Sequence, residues 1–216
     1  ADVFAAAAAE AVTAASQSRA DPGRSAAEAS AGGAARRFAD SPEEFVRKVL
    51  PHARAAAAEL GVPPAAIVAQ AALETGWGRH VPAGADGTGH NLFGIKAGAR
   101  WAGARLGRAT VEIENGLPVR TQAAFRAYES VAAGFRDYVA LLRTSERYAA
   151  ARGVGDDAAR FAQALQAGGY ATDPQYARKL LQIVNGSTLR DAMAAASTAA
   201  APAQLALNSG APLPIT

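Results

Sequence analysis

The amino-acid sequence predicts an α+β fold that is mainly helical, with one small β-hairpin inserted after the second helix. Three observations lead to this prediction. Bulky apolar residues are concentrated between Ser41 and Met193, where 32 of the 40 Leu, Ile, Val and Phe residues lie. Helix start and stop signals divide this stretch, and one Asn-Gly dipeptide separates two short extended runs. We therefore expect one folded domain over residues 41–193.

The two ends of the chain differ in composition from this middle part. Residues 1–40 are rich in Ala, Ser, Gly and Arg, and residues 194–216 are uncharged and contain three prolines. We predict an Ala/Ser-rich linker or disordered tail over 1–40 and a low-complexity tail over 194–216. No signal peptide is visible at the start, and no apolar run reaches the roughly 18–20 residues of a membrane span.

The first two helices are predicted from their boundaries. Ser41 can cap the first helix, Glu44 completes a capping box, and Gly61 ends the helix. The second helix begins near Pro63 and continues to Gly76. Gly-rich sequence follows it, which predicts a loop.

The β-hairpin and three further helices complete the predicted order. Asn115-Gly116 lies between TVEIE and LPVRT, which is a strong short-range hairpin signal, and Pro118 favours an edge strand. Helical periodicity returns in a stripe beginning at Val131, in a helix anchored by Phe161, and in a helix beginning at Asp173.

Composition and charge exclude several classes of function. The chain has 22 basic and 19 acidic residues and a formal net charge of +3, which is too small to predict nucleic-acid binding. It contains no cysteine, so disulfides, thiolate metal sites and a cysteine nucleophile are excluded. The histidines share no metal-ligand spacing. We predict neither a metal nor a cofactor.

Glu74 is the most informative residue of the sequence. It follows Ile67 and Ala71 at helical spacing, so a carboxylate projects from the apolar face of the second helix. Burial raises a carboxyl pKa, which is what a general acid near neutral pH requires. The alternative is a solvated glutamate at a frayed helix end, and the pattern alone leaves both interpretations open.

One reaction that uses such a general acid is cleavage of a glycosidic bond, which ordinarily needs a second carboxylate or a substrate group in its place. Glu112 and Glu114 lie on the first strand of the predicted hairpin and point to one face. The alternative for both is that exposed charges prevent edge-to-edge pairing of the strand.

Aromatic side chains could supply stacking faces for a sugar. Trp77 lies between glycines one turn after Glu74, and Tyr170 follows Gly168-Gly169 in a loop, where its phenol could face a groove. The other candidates are Phe93, Trp101 and Tyr128, whereas Phe125, Phe135 and Phe161 are assigned to the core.

Five segments of the chain, taken together and in order, match the pattern of a known protein family. They resemble the signature segments of the glucosaminidase domains of glycoside hydrolase family seventy-three, over about residues 41–190. The segments are AALETGWG (71–78), HNLFGIKA (90–97), TVEIENG (110–116), AAFRAYES (123–130) and GGYATDPQYARKL (168–180).

The resemblance implies a lysozyme-like fold, with a helical lobe and a small β-hairpin lobe flanking a substrate groove. It also implies periplasmic cleavage of peptidoglycan at the bond whose reducing side is N-acetylglucosamine. Glu74 matches the family's general acid, Glu112 its β-lobe glutamate, and Tyr170 the tyrosine near the catalytic glutamate. Ile113 departs from the tyrosine common at that position. Residues of the matched segments that would bind substrate are Trp77, Asn91, Phe93, Lys96 and Tyr128.

The resemblance leaves the mechanism open between retention, inversion and assistance by the substrate's N-acetyl group. Our hypothesis is that Glu74 protonates the leaving oxygen while Glu112 activates water once the β-lobe closes. The expected partners are a peptidoglycan glycan strand and flagellar rod proteins, and we expect a monomer. A lytic transglycosylase of the same fold and a non-catalytic wall-binding module remain the alternatives.

Overall fold

The computed structural model describes residues 37–84, 87–114 and 117–208, and it describes only the backbone of residues 84, 87–88, 108–114, 117–121 and 200–208. In chain order the helices are α1 (Pro42–Leu60), α2 (Pro64–Thr75), α3 (Val131–Thr144), a 3₁₀ helix (Glu146–Ala151), α4 (Ala158–Ala167), α5 (Tyr176–Val184) and α6 (Ser187–Asn208). The strands are β1 (Ala83–Gly84), β2 (Gly87–Thr88), β3 (Arg105–Glu114) and β4 (Leu117–Arg126).

The boundaries of α1 confirm the prediction, with one difference in the cap. Ser41 Oγ accepts a hydrogen bond from the Glu44 amide at 3.2 Å, and Gly61 ends the helix in the left-handed conformation with φ of 66°. Glu44 Oε2 accepts from the Asp40 amide at 2.8 Å rather than from the Ser41 amide, so the reciprocal half of the box is displaced by one residue. The helix start is nevertheless satisfied on both sides.

Helix α2 lies at the centre of the helical part of the molecule. It packs against α1 and α5 and touches α4. Most of its residues are buried, and Ile67, Val68 and Ala69 have no exposed surface. A helix that is buried all round positions its side chains rigidly, because each of them contacts protein on every side.

The predicted hairpin is confirmed, and it is longer than expected. Strands β3 and β4 pair antiparallel over ten residues each, from Arg105 opposite Arg126 to Glu114 opposite Leu117. The predicted Asn115-Gly116 turn lies outside the described residues. Strands β1 and β2 form a second, very short antiparallel pair within the stretch where a loop was predicted.

The helices after the hairpin supply the remaining core. Phe135, Phe161 and Phe125 are at most 5% exposed, as predicted. Helix α5 begins at Tyr176 rather than at Asp173, because Asp173 Oδ1 instead accepts a hydrogen bond from the Gln175 amide in the turn that precedes it. The 3₁₀ helix was not predicted.

Both ends of the predicted domain extend beyond their expected limits. Phe38 and Ala39 are 7% and 2% exposed and belong to the core, although they lie in the stretch assigned to a linker or tail. Helix α6 packs against α1 and continues to Asn208, through residues assigned to a low-complexity tail. Alanine has the highest intrinsic helix propensity, which explains this continuation. Residues 1–36 and 209–216 of the predicted tails lie outside the described residues.

Among residues 37–84, 87–114 and 117–208, no helix combines the length and apolar character needed to cross a membrane. The observed architecture is a helical body with a two-stranded hairpin, β3–β4, inserted between α2 and α3. The predicted mainly helical α+β class is therefore confirmed.

Candidate active site

Glu74 lies in the last turn of α2, on the buried face that sequence periodicity predicted. Ile67 and Ala71, which share this face, are fully buried, and Glu74 itself is only 6% exposed. Its Oε1 accepts a hydrogen bond from the Tyr176 hydroxyl at 3.1 Å. The interpretation of Glu74 as a solvated helix-end residue is therefore wrong.

The environment of Glu74 keeps its carboxyl group protonated at neutral pH. Burial raises the pKa of Glu74 from 4.5 to about 8, and the hydrogen bond from Tyr176 acts in the opposite direction. A carboxylic acid with a pKa near the ambient pH can donate a proton to a leaving group and recover it afterwards. This is the electrostatic condition for a general acid.

A layer of tyrosines lies beneath Glu74. Tyr138, Tyr170 and Tyr176 are at most 1% exposed, and the rings of Tyr170 and Tyr176 stack at 5.8 Å. Burial, followed by interaction with Glu74, raises the pKa of each of these phenols well above its ordinary value. The layer is therefore a set of neutral hydrogen-bonding groups in a low-dielectric environment.

The structure places Tyr170 differently from the sequence prediction. Its hydroxyl donates to the Phe93 backbone carbonyl at 2.8 Å, and its side chain has no exposed surface, so it does not face a groove. Tyr176, a residue of the helix predicted to begin at Asp173, makes the hydrogen bond to Glu74 instead. Both tyrosines belong to one short segment, and the sequence carries no signal for which of them reaches Glu74.

The turn after α2 holds Trp77, which follows Glu74 by three residues, in a defined conformation. Gly76, Trp77 and Gly78 all have positive φ angles, of 56°, 62° and 83°. Thr75 Oγ1 donates to the Ala71 carbonyl and accepts from the Gly78 amide, which closes the turn. A tryptophan in this conformation is strained, and such strain is common at functional sites. Trp77 is half-buried against Phe45, with ring centroids 6.0 Å apart.

Two predicted substrate-binding residues are occupied by internal contacts. Asn91 is 1% exposed; its Nδ2 donates to the carbonyls of Ile95 and Arg126 at 2.8 Å each, and its Oδ1 accepts from the Ile95 amide. Phe93 is equally buried and stacks on Tyr138 at 3.8 Å. The structure assigns Asn91 and Phe93 to the architecture of the site, contrary to the prediction that they contact substrate.

Four side chains form a cluster where the hairpin leaves the helical body, and we call them the hairpin-base cluster: Trp101, Arg126, Tyr128 and Asp137. Arg126 Nη1 donates to both carboxylate oxygens of Asp137 at 3.0 and 2.8 Å, and the Tyr128 hydroxyl donates to Asp137 Oδ2 at 2.6 Å. The Arg126 guanidinium lies 4.6 Å from the Trp101 ring centroid. The predicted substrate residue Tyr128 therefore also anchors β4 to α3.

Lys96 lies at the same end of the hairpin. It is partly buried, its backbone pairs with Phe125, and its carbonyl accepts from Arg126 Nε at 3.3 Å. Glu112 lies in β3 opposite Val119. Its side chain lies outside the described part of the chain, so its predicted role stays a prediction.

Within the part of the chain that the structure describes, histidine and acidic side chains form no group of three that could hold a metal ion. Independently of this, the buried carboxyl group of Glu74, with its raised pKa, offers acid–base chemistry. Sequence reasoning missed Tyr176, Arg126 and Asp137, because their contacts join different elements: Tyr176 in α5 meets Glu74 in α2, and Arg126 in β4 meets Asp137 in α3.

Comparison with known proteins supports this assignment. Residues 50–189 match the glucosaminidase family model, which is described as mannosyl-glycoprotein endo-beta-N-acetylglucosaminidase. The chain is 48% identical over 159 residues to peptidoglycan hydrolase FlgJ of Pseudomonas aeruginosa, a match that covers 73% of this chain and 40% of that protein. The chain thus spans less than half the length of this relative.

Solved structures agree with the sequence comparison. A peptidoglycan hydrolase from Sphingomonas sp. A1 matches with 46% identity and a TM-score of 0.65, over 71% of this chain and 94% of that one. The glycoside hydrolase domain of FlgJ from Salmonella typhimurium matches with 37% identity and a TM-score of 0.59, over 77% and 99%. The expected lysozyme-like fold is confirmed by these neighbours. The chain belongs to the glucosaminidase family, family seventy-three of the glycoside hydrolases.

Proposed function

We propose that this chain is a peptidoglycan hydrolase in which Glu74 is the general acid. The observation that carries the proposal is a carboxyl group that is 6% exposed at the end of a fully packed helix, with a pKa raised to about 8. General acid–base catalysis by a positioned side chain contributes roughly 10²–10⁴-fold to a rate. A protonated Glu74 would supply that contribution at the glycosidic oxygen of the leaving sugar.

The bond we assign is the β-1,4 bond between N-acetylglucosamine and N-acetylmuramic acid, with N-acetylglucosamine at the new reducing end. The family model carries the description of an endo-beta-N-acetylglucosaminidase, and the related FlgJ proteins carry the name of peptidoglycan hydrolases. Trp77, Lys96 and Tyr128 remain proposed substrate contacts, because their side chains are partly exposed.

The second half of the reaction needs a base, a nucleophile or the substrate's own N-acetyl group. We propose that Glu112 activates the attacking water. Glu112 lies in β3 and Glu74 in α2, and the proposed closure of the hairpin towards the helical body would bring the two carboxyl groups together. Tyr170 would act on the site through its stacking on Tyr176.

The biological setting follows from the relatives and stays part of the proposal. FlgJ proteins share 44–48% identity with this chain. We propose that the domain, over residues 41–193 with Phe38 and Ala39 added, opens peptidoglycan in the periplasm during assembly of the flagellar rod. Rod proteins are its proposed partners.

The test is mass spectrometry of soluble fragments released from purified peptidoglycan after borohydride reduction. We expect reduced N-acetylglucosamine ends with the wild type and a loss of at least about 10²-fold with Glu74→Gln. Glu59→Gln, the same change at an exposed glutamate of α1, serves as the matched control and should retain activity. Retained hydrolysis with Glu74→Gln would overturn the assignment.

The products also separate the alternatives. Anhydro-muramic acid ends would identify a lytic transglycosylase, and sedimentation with the sacculus without fragments would identify a binding module. Glu112→Gln in the same assay tests the second role. Full turnover by Glu112→Gln, with Glu74→Gln inactive, would favour the route through the substrate's N-acetyl group.

A further inference from the structure

A chain of buried polar side chains extends from Glu74 into the core. Gln70 lies one helical turn before Glu74 on α2 and has no exposed surface. The Tyr138 hydroxyl donates to Gln70 Oε1 at 2.6 Å, and the Tyr176 hydroxyl donates to Glu74 Oε1 at 3.1 Å. A buried amide is costly unless both of its ends are satisfied, so the placement of Gln70 calls for an explanation.

The second end of the Gln70 amide is buried without a hydrogen-bond partner, since Gln70 Nε2 makes no hydrogen bond within the described part of the chain. Burial raises the pKa of the Tyr176 phenol well above its ordinary value, and the nearby Gln70 side chain acts in the opposite direction. An amide N–H directed at the phenol oxygen has this effect, because it stabilises the phenolate.

This arrangement gives the hydrogen bonds a direction. Tyr138 donates to Oε1 of Gln70, so the amide NH₂ is the end that Tyr138 does not engage. An amide nitrogen only donates, and the phenol oxygen of Tyr176 can accept such a bond. The Tyr176 proton is then left to bond Glu74 Oε1, as observed.

We propose that Gln70 and Tyr176 are positioning residues that keep the acidic proton of Glu74 on Oε2, with Tyr138 fixing the orientation of Gln70. The carbonyl-like oxygen of a carboxylic acid is the better acceptor, so an oxygen that accepts from Tyr176 is the one without the proton. Oε2 is then the oxygen from which Glu74 donates. The inference rests on the proposed role of Glu74 as the general acid.

The groups around Glu74 determine whether loss of the Tyr176 hydroxyl raises or lowers the Glu74 pKa. The described titratable groups that interact with it are the phenols of Tyr138 on α3, Tyr170 before α5 and Tyr176 on α5. Burial keeps all three neutral. Burial raises the pKa of Glu74, and the hydrogen bond from Tyr176 lowers it. Loss of the Tyr176 hydroxyl must therefore raise the Glu74 pKa further.

The test is a ¹³C NMR titration of the Glu74 carboxyl carbon, assigned by its absence from Glu74→Gln. In Tyr176→Phe we expect the Glu74 pKa to rise by about one unit, the worth of a hydrogen bond to a charged group. The basic limb of the pH profile of kcat/KM should move by the same amount. An unchanged or lowered pKa would overturn the proposal. If Tyr176→Phe fails to fold, Tyr138→Phe should still raise the pKa, and an unchanged value there would overturn it.

The role of Gln70 needs a double variant. Gln70→Met preserves length without hydrogen bonds, and we expect it to raise the Glu74 pKa by less than Tyr176→Phe does. The pKa of the double variant should equal that of Tyr176→Phe alone, because Gln70 acts through Tyr176. Independent, additive shifts of the Glu74 pKa would contradict the proposal that Gln70 acts through Tyr176.

The control is Tyr148→Phe, which removes a hydroxyl from another fully buried tyrosine whose ring lies 5.8 Å from that of Tyr170. It should leave the Glu74 pKa unchanged, because this change removes a buried hydroxyl without removing a hydrogen bond to Glu74. The titration needs no substrate, so the two proposals fail separately. Hydrolysis by Glu74→Gln would overturn the proposed function. An inactive Glu74→Gln together with an unchanged Glu74 pKa in Tyr176→Phe would overturn only the positioning role of Gln70 and Tyr176.

Discussion

The helical body and the β3–β4 hairpin hold their proposed catalytic carboxylates in different ways. Glu74 lies on a helix that packs against α1, α4 and α5, and one of its oxygens is already hydrogen-bonded. Glu112 lies on a strand whose extensive contacts are with its hairpin partner. At its base the hairpin joins the body through the contact of Arg126 with Asp137.

The difference indicates a division of labour between the two regions. Glu74 is preorganised by packing, so its protonation state and orientation are set before substrate binds. The hairpin is held at its base by polar contacts such as the Arg126–Asp137 pair, and lobes joined in this way can move during catalysis. Substitutions that affect each region separately can test this comparison.

The largest expected effect is on stability, through the buried acid itself. The pKa of Glu74 is raised from 4.5 in the unfolded chain to about 8 in the fold, so the folded state binds the proton more tightly. Its contribution is fully present below pH 4.5 and is lost as pH rises to about 8. Glu74→Gln does not titrate, so its free energy of unfolding should exceed that of the wild type increasingly over this range, by at most about 5 kcal/mol.

Urea unfolding at pH 4.5, 6 and 8 measures this difference. Glu59→Gln provides the control, because Glu59 is exposed on α1 and its removal should show no such trend. A stability difference between Glu74→Gln and wild type that is constant with pH would contradict the buried, protonated state.

Sequence reasoning succeeded where local signals decide the outcome. The Ser41 cap and Gly61 stop gave the limits of α1, and the spacing of Ile67, Ala71 and Glu74 gave the apolar face of α2, while the burial of Glu74 itself was left open. These signals depend on residues within two helical turns of each other. The Tyr176–Glu74 hydrogen bond joins residues 102 positions apart, which no local pattern encodes.

The misassigned elements have equally definite causes. Residues 105–109 lack clear alternation, yet they pair because the register set near Glu114 and Leu117 propagates along both strands. The part of α6 after Met193 was interpreted as tail because its sequence is of low complexity, but the helix packs on α1, where Arg54 Nη2 donates to Ser197 Oγ at 3.0 Å. This contact and the helix propensity of alanine together explain the continuation of the helix.

A middle-sized effect tests how tightly the helical body holds the end of α2. A Cβ on Gly78 would lie 3.0 Å from the Phe45 ring, 3.1 Å from Phe38 and 3.3 Å from the Ala39 amide nitrogen, at a φ of 83°. We expect Gly78→Ala to lower the free energy of unfolding by about 2–4 kcal/mol, since strain and overpacking add.

The matched control is Gly153→Ala, because Gly153 has a φ of 66° but a Cβ added there would meet no other atom within 4 Å. This variant should lose only the cost of the left-handed conformation, about 1–2 kcal/mol. Equal losses for Gly78→Ala and Gly153→Ala in chemical denaturation would mean that the turn after α2 is not tightly packed.

The smallest effect on stability concerns the joint between the two regions. Asp137→Asn removes the charge that pairs with Arg126 and weakens the acceptor of the Tyr128 hydroxyl. The pair is partly buried, with side-chain exposures of 17% and 22%, so we expect a loss of about 1–2 kcal/mol in global stability. Because these contacts link β4 to α3, amide hydrogen exchange should accelerate in β3 and β4 while α2 keeps its protection.

A second ion pair separates this local effect from a general one. Asp173 pairs with Lys179 at similar exposure, 24% and 29%, but within the helical body. Asp173→Asn should cost a comparable free energy of unfolding and leave hairpin exchange unchanged. If the two variants alter β3 and β4 equally, the hairpin is held by the whole body rather than by its base. If only Asp137→Asn does so, and turnover falls while the Glu74 pKa stays constant, the hairpin positions the second half of the site independently of the acid.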